Sequence, residues 1–161
     1  MRTDTGILAE KYKNALFAAA FSVCKNPQDA EDAVQDAFIK YHSMQKEFES
    51  EEHIKAWLLR VAINRARDIS RSFFRKNSVA LEDYLETLTF SFPGDRSLFE
   101  TVMGLPEKYR LALHLFYYED YSVKEIASLL SIREGSVKTR LSRGRAMLKD
   151  ILKEDWADDE Q

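Results

Sequence analysis

Tyr121-Ser-Val-Lys-Glu-Ile-Ala-Ser-Leu-Leu-Ser-Ile-Arg-Glu-Gly-Ser-Val-Lys-Thr-Arg-Leu-Ser-Arg-Gly-Arg145 decides the fold of the C-terminal part of the chain. Ser122 is placed to cap a short helix containing Val123, Ile126, Ala127, Leu129 and Leu130. After Ser131-Ile132 a longer basic helix is predicted from about Arg133 to Lys153. A short helix, a tight turn and a basic helix make a helix-turn-helix, whose second helix enters a DNA major groove. At about 100° per residue, Val137, Leu141, Gly144, Leu148 and Ile151 share one face, the expected core. Gly144 within that face implies close approach by a neighbouring helix. The opposite face holds Gly135, Thr139, Ser142 and Ala146, all small. Lys138 and Lys149 flank this ridge on one side, Ser136 and Arg143 on the other. Small residues let the backbone come near a groove while long cations reach phosphates or guanine edges. The plain alternative is an amphipathic surface helix. Period, turn and charge together favour DNA.

Upstream, the pattern stays helical. Ile7, Leu8, Tyr12, Ala15, Leu16, Ala19 and Val23 recur at helical spacing, so a first helix covers about 5–24. Asn26-Pro27 is a cap followed by proline at the first helical position, and the next helix runs to about His42. Residues 43–52 read as a polar, acidic loop. A third helix spans roughly 53–74, with Ile54, Trp57, Leu58, Val61 and Ala62 as its core stripe. Residues 77–95 lose the period and contain Phe92-Pro93-Gly94, a linker with a short helical piece near Leu81–Leu88. Leu105-Pro106 opens a further helix through Tyr118. The expected fold is all-α: two small helical domains joined by a linker, the C-terminal one a helix-turn-helix. Their bounds are 1–76 and 96–153, with an acidic linker at 77–95 and an acidic tail at 154–161.

The 161 residues, 45% hydrophobic and 32% charged, suit one ordinary domain or two small ones. No apolar run approaches the ~20 residues of a transmembrane helix, and the N-terminus lacks a signal-peptide pattern. A single cysteine, Cys24, excludes an internal disulfide framework. A cytoplasmic protein without membrane insertion is expected.

Charge is unevenly placed. The net charge of −3 conceals +2 over residues 1–76, −4 over 77–104, +4 over 105–153 and −5 over 154–161. Residues 26–52 hold 8 acids and 2 bases, whereas 55–76 hold 7 bases and only Asp68. Two basic segments in an acidic protein suggest two contacts with a polyanion, although solvated helix faces give the same tally. In the first basic segment Arg60, Asn64, Arg67 and Arg71 share a face opposite the core stripe, with Ile63 and Ser70 among them. Arg65 projects inward, towards an acid of the first two helices. Phe73, Phe74, Arg75 and Lys76 extend the surface, and basic groups beside aromatics and an amide can hold unstacked bases as well as phosphates. On the preceding helix Asp29, Asp32 and Asp36 share a face, with Glu31 and Gln35 beside it. Such a face is solvated, complements the helix dipole, or docks a basic protein. From periodicity all three stand, the solvated face foremost.

Catalytic chemistry finds no support. His42, His53 and His114 are scattered, and no HExxH, CxxC, GxSxG or glycine-rich phosphate loop occurs. No metal, cofactor or small-molecule substrate is expected, and no enzymatic activity.

Five strings in order carry a resemblance: Asp29-Ala-Glu-Asp-Ala-Val-Gln-Asp-Ala-Phe38, Trp57-Leu-Leu-Arg-Val-Ala-Ile-Asn64-Arg-Ala-Arg-Asp68, Leu105-Pro-Glu-Lys-Tyr-Arg110, Tyr121-Ser-Val-Lys-Glu-Ile-Ala127, and Gly135-Ser-Val-Lys-Thr-Arg-Leu-Ser-Arg-Gly-Arg145. Together they resemble the extracytoplasmic-function (ECF) group of sigma factors, over about residues 7–153. The resemblance implies a subunit of bacterial RNA polymerase that confers promoter recognition. It implies core-polymerase docking by Asp29, Asp32, Gln35 and Asp36, which overrides the solvated-face reading. It implies −10 element contacts by Asn64, the position of the family's amide, with Arg60, Arg67 and Arg71 on the same face. The segment near Glu47–Ile54 corresponds to the one that captures a flipped −10 base. For the −35 element it implies Arg133, Ser136, Lys138, Thr139, Ser142 and Arg143. An anti-sigma partner is expected as well. Ser136 stands where threonine is common, Ser142 where histidine is frequent and Gly144 where alanine is usual, so an unusual −35 preference is expected. The acidic linker, with Glu82, Asp83 and Glu86, is expected to pass through the polymerase near the RNA path. The competing reading is a stand-alone helix-turn-helix regulator that binds duplex DNA without polymerase and has no use for the acidic face.

Overall fold

The computed structural model describes residues 1–72 and 93–159, with side chains over 1–71 and 98–153. All regular structure among them is helical. The chain divides into two compact units, Met1–Val79 and Ala80–Gln161.

The first unit packs α1 (Thr5–Cys24), α2 (Pro27–Ser43) and α3 (Glu51–Ser72) against one another. Each start has a chemical cause. The Asp4 carboxylate accepts from the Ile7 N–H at 3.2 Å, and the Asn26 carbonyl from the Asp29 N–H at 3.0 Å, with Pro27 next in line. Ser50 Oγ accepts from the His53 N–H at 3.1 Å. Lys25 takes the left-handed conformation (φ 55°) that ends α1 and turns the chain into the Asn26 cap. Leu8, Leu16, Ala19, Ala33, Ala37, Ile54, Leu58 and Ala62 make a dry core in which the alanines let the helices lie close.

Two positions differ from expectation. Ile7 is 58% exposed, because it lies about 100° round the helix from Leu8. Ile63, expected among the cations of α3, is 1% exposed. Helix α3 touches both α1 and α2, so its buried arc is about twice a single stripe and sweeps in Ile63. Trp57 and Val61 sit half-buried at the edge of that arc. The loop after α2 carries its own anchor, Phe48, buried beside the Tyr41 and Trp57 rings at 5.7 and 5.8 Å. Tyr41 is fully buried, and its hydroxyl exchanges hydrogen bonds with the Thr3 backbone at 3.0 and 3.1 Å.

The second unit contains α4 (Pro93–Met103), α5 (Glu107–Tyr117), α6 (Val123–Leu130) and α7 (Glu134–Asp159). Helix α4 begins at Pro93, two residues before the expected end of the linker, with proline in the first turn where its missing N–H costs nothing. Helix α7 runs six residues beyond Lys153, into the stretch expected as an acidic tail. Phe73, Phe74, Arg75, Lys76, the short piece near Leu81–Leu88 and the linker acids Glu82, Asp83 and Glu86 lie outside the described residues. Leu111, Leu115, Ile126, Val137 and Leu141 form the core of this unit. Arg110, 5% exposed, donates to the Leu105 carbonyl at 2.6 Å and so fixes the turn before α5.

Candidate nucleic-acid interface

The hairpin of α6 and α7 is held at both ends of α6. Ser122 and Glu125 form a reciprocal capping box: Glu125 N–H donates to Ser122 Oγ at 3.1 Å and Ser122 N–H to Glu125 Oε1 at 3.0 Å. At the other end Ser131 adopts φ 57°, and the Ile132 N–H reaches back to the Ala127 carbonyl at 3.0 Å. That left-handed residue aims α7 away from α6.

Helix α7 presents most of the faces expected of it, except that Leu148 and Ile151, expected in the core, are half-buried. Val137, Leu141 and Gly144 are buried; Gly135, Ser136, Lys138, Thr139, Ser142, Arg143 and Ala146 are exposed, as is Arg133 just before the helix. A Cβ on Gly144 would stand 3.0 Å from Leu113 Cδ1 and 3.5 Å from Tyr109 Cβ, so α5 is the neighbour whose approach the glycine permits. Thr139 Oγ1 donates to the Gly135 carbonyl at 3.0 Å, which leaves the hydroxyl's acceptor side outward.

Three residues that the sequence reading passed over join this surface. Lys108 and Tyr109 of α5 and Arg140 of α7 line a concavity of about 600 Å³ with Arg133, Ser136 and Arg143. Arg143, with Lys108 nearby, holds the Tyr109 pKa below the ordinary tyrosine value of 10.0. The Lys108 ammonium stands 5.1 Å from the Tyr109 ring centre. No helical wheel reveals this group, because it forms only when α5 lands on α7.

On α3, Arg60, Asn64 and Arg71 are exposed and Arg67 half-exposed, together on the face turned from the core. Arg65 pairs with Asp36 of α2 as its sequence position suggests, Nε to Oδ2 at 2.6 Å, but in the open: the two side chains keep 50% and 44% of their exposure. On α2, Asp32 and Gln35 are exposed and Asp29 and Asp36 half-exposed. Partial burial, then the charge of Asp32, raises the Asp29 pKa above the ordinary 3.8. Ile39, one turn on from Gln35 and Asp36, is 65% exposed and makes an apolar knob at the edge of the acidic face. Its spacing from Asp32, Gln35 and Asp36 puts it on their face, the signal that the sequence offered.

The segment Glu47–Ile54 is half loop and half helix, since α3 starts at Glu51. Its acids are partly neutralised. Glu51 meets Lys11 Nζ at 2.9 Å, and that hydrogen bond lowers the Glu51 pKa and raises that of Lys11. Glu47 lies 2.6 Å from the Met1 amine.

A separate groove of about 550 Å³ runs between α4, α5 and α7, with Leu98, Leu113, His114, Tyr117 and Leu148 in its walls and Arg145, Lys149 and Lys153 at its rim. Among the described residues no helix is long and apolar enough to cross a membrane.

Residues 8–78 match the sigma-70 region 2 family and residues 95–148 the sigma-70 region 4 family. The RNA polymerase sigma factor SigV of Bacillus subtilis is 31% identical, over 89% of this chain and 89% of the relative. The ECF RNA polymerase sigma factor SigW of the same organism is 27% identical, over 91% and 88%. In fold, the chain is similar to the sigma factor RpoE of Bartonella quintana solved with the anti-sigma factor NepR, with a TM-score of 0.72 and 24% identity over 92% of this chain and 96% of that one. An acidic helix beside a basic one, followed by a helix-turn-helix, is thus matched by both family regions in the same order, and the chain belongs to the ECF group of RNA polymerase sigma factors, which direct transcription from chosen promoters.

Proposed function

We propose a division of labour among the three charged faces. The acidic face of α2, with Asp29, Asp32, Gln35 and Asp36 and the exposed Ile39, docks on core polymerase. The α3 face of Arg60, Asn64, Arg67 and Arg71 meets the −10 element. The ridge of α7, with Arg133, Ser136, Lys138, Thr139, Ser142 and Arg143, reads the −35 element. The observation that carries this reading is the segregation of charge within one three-helix unit: the α2 face is acidic and the outer α3 face basic. A duplex repels the first and attracts the second, so the two surfaces serve different partners. An apolar knob beside charges is the composition of a protein dock.

The domain bounds 1–76 and 96–153 are supported by the two family matches, over residues 8–78 and 95–148. The chain supplies binding energy and strand selection while the polymerase performs the chemistry, so it has no catalytic centre of its own. It acts in the cytoplasm, where its polymerase is. An anti-sigma protein is its expected regulator, a reading supported by the partner of the RpoE relative.

Abortive transcription by purified bacterial core polymerase over a promoter library tests the proposal. Promoter-dependent initiation with the wild-type chain, lost with Asp32→Arg/Gln35→Ala, is the expected result. Sequence-specific duplex binding by the free chain without initiation favours the stand-alone regulator instead.

A further inference from the structure

The groove between α4, α5 and α7 has the make-up of a small-molecule site. Its volume of about 550 Å³ falls within the roughly 300–1,000 Å³ of ordinary ligand pockets. Leu98, Val102, Leu113 and Leu148 supply apolar walls from all three helices, and the Tyr117 ring stands exposed at its edge. The charge on its lining residues is of one sign: Arg145, Lys149 and Lys153 rim it along α7, and no carboxylate is among them. Lys149 and Lys153 follow Arg145 at four-residue steps, so the three cations form a row beside the apolar floor. Arg145 is held in place. Its Nε–H donates to the Tyr117 hydroxyl at 2.6 Å, and its guanidinium lies 5.5 Å from the Phe116 ring centre and 5.7 Å from that of Tyr117. A guanidinium fixed in this way loses less entropy on meeting a carboxylate than one on a loose stem. His114 lines the same groove, and its buried Nε2 has no hydrogen-bond partner among the described residues. An oxygen carried in by a ligand answers that atom, whereas an apolar side chain leaves it bare.

An occupant that suits this groove is apolar along most of its length, anionic at one end, and narrow. One turn of α-helix with its side chains fills roughly 400–600 Å³, the whole groove, so a helix of several turns enters only by its edge. A single acyl chain lies inside. We propose that the groove binds one long-chain fatty acid, with its tail between Leu98, Leu113 and Leu148 and its carboxylate on Arg145. The groove lies on the side of α7 turned from the exposed ridge of Thr139, Ser142 and Ala146, so the bound chain leaves that ridge uncovered. It touches α4, α5 and α7 together and ties them to one another.

The test is equilibrium binding of radiolabelled tetradecanoate to the full chain, below the micelle concentration. One saturable site is expected. Affinity should rise about fourfold per methylene from octanoate upward, the factor for one buried CH₂, and level off once the tail outgrows the groove. Methyl tetradecanoate has the tail without the charge and should bind about tenfold more weakly. Arg145→Gln should lose the preference for acid over ester. Leu98→Glu should abolish binding. Leu98 is already 37% exposed on α4, and unchanged helical circular dichroism, with binding kept in Leu98→Met, separates a blocked groove from a lost fold. Absence of saturable binding overturns the site, and so does binding indifferent to both Leu98→Glu and Arg145→Gln. Equal affinity of the wild-type chain for acid and ester overturns the carboxylate seat and with it the proposal. Binding to phosphatidylglycerol vesicles without binding of the monomer overturns it in favour of a membrane surface. Binding of an acidic amphipathic peptide without binding of tetradecanoate overturns it in favour of a protein dock. The sigma reading rests on other faces and stands under each of these outcomes.

Discussion

Arg65 of α3 donates its Nε–H to Asp36 Oδ2 of α2 at 2.6 Å, a bond between the basic and acidic helices of the first unit. Water screens a pair this exposed, so its contribution to stability is small. Its effect on docking is larger, because the Asp36 charge is already partly answered inside the chain. Asp32 lies exposed on the same face, its contact with Gln28 Nε2 long at 3.4 Å. Asp32→Ala is therefore expected to weaken core-polymerase binding more than Asp36→Ala, as read by competition for core. Equal losses would contradict the ordering.

Gly144 carries a steric prediction. A Cβ there stands 3.0 Å from Leu113 Cδ1 and 3.3 Å from Leu113 Cγ, and Leu113 is buried. A branched side chain forces α5 away from α7. Gly144→Val is expected to cost about 1–3 kcal/mol, measured by urea unfolding. Gly144→Ala sets a helix-propensity gain of about 1 kcal/mol against a smaller clash, so its net change is expected to stay below the valine cost.

The two ends of α6 predict opposite signs. Ser122→Ala removes the capping box and is expected to cost about 1 kcal/mol. Ser131 occupies a left-handed conformation that glycine adopts freely. Ser131→Gly is expected to stabilise the hairpin by up to about 1 kcal/mol. Hydrogen exchange of the α6 amides gives both signs in one experiment.

His114 predicts a pH dependence. Its ring stacks on Tyr118 with centres 5.4 Å apart, and among the described residues its buried Nε2 has no hydrogen-bond partner. Burial pushes its pKa below the ordinary 6.5, and the charge of Glu119 opposes that shift only in part. The unfolded chain therefore takes up this proton first. The contribution of His114 to the stability of the second unit is full above pH 6.5 and declines as pH falls from there to the depressed folded value. Exchange protection of the α5 amides should fall on acidification in wild type and less so in His114→Phe. Equal acid sensitivity would assign the decline to other groups.

Much of this architecture is legible in the sequence because each helix announces itself. Asn26-Pro27 and Ser122 mark starts, and Gly144 marks the close approach of α5 to α7. What escaped reading depends on neighbours. Ile63 follows from α3 having two partners rather than one, and a wheel assumes one. Phe48 lies in a loop, where no period exists to flag an anchor. Lys108, Tyr109 and Arg140 come from helices joined only by tertiary packing, so their common surface has no sequence signature. The roles given to Asp32, Asn64 and Ser142 rest on family resemblance, since an exposed polar side chain does not name its partner.

The notch at Gly144 also has a mechanical meaning. Leu113 fills it as a key fills a slot, so α5 and α7 do not slide lengthwise without lifting apart. A load applied to α5 is therefore carried to α7 through this contact rather than absorbed by sliding.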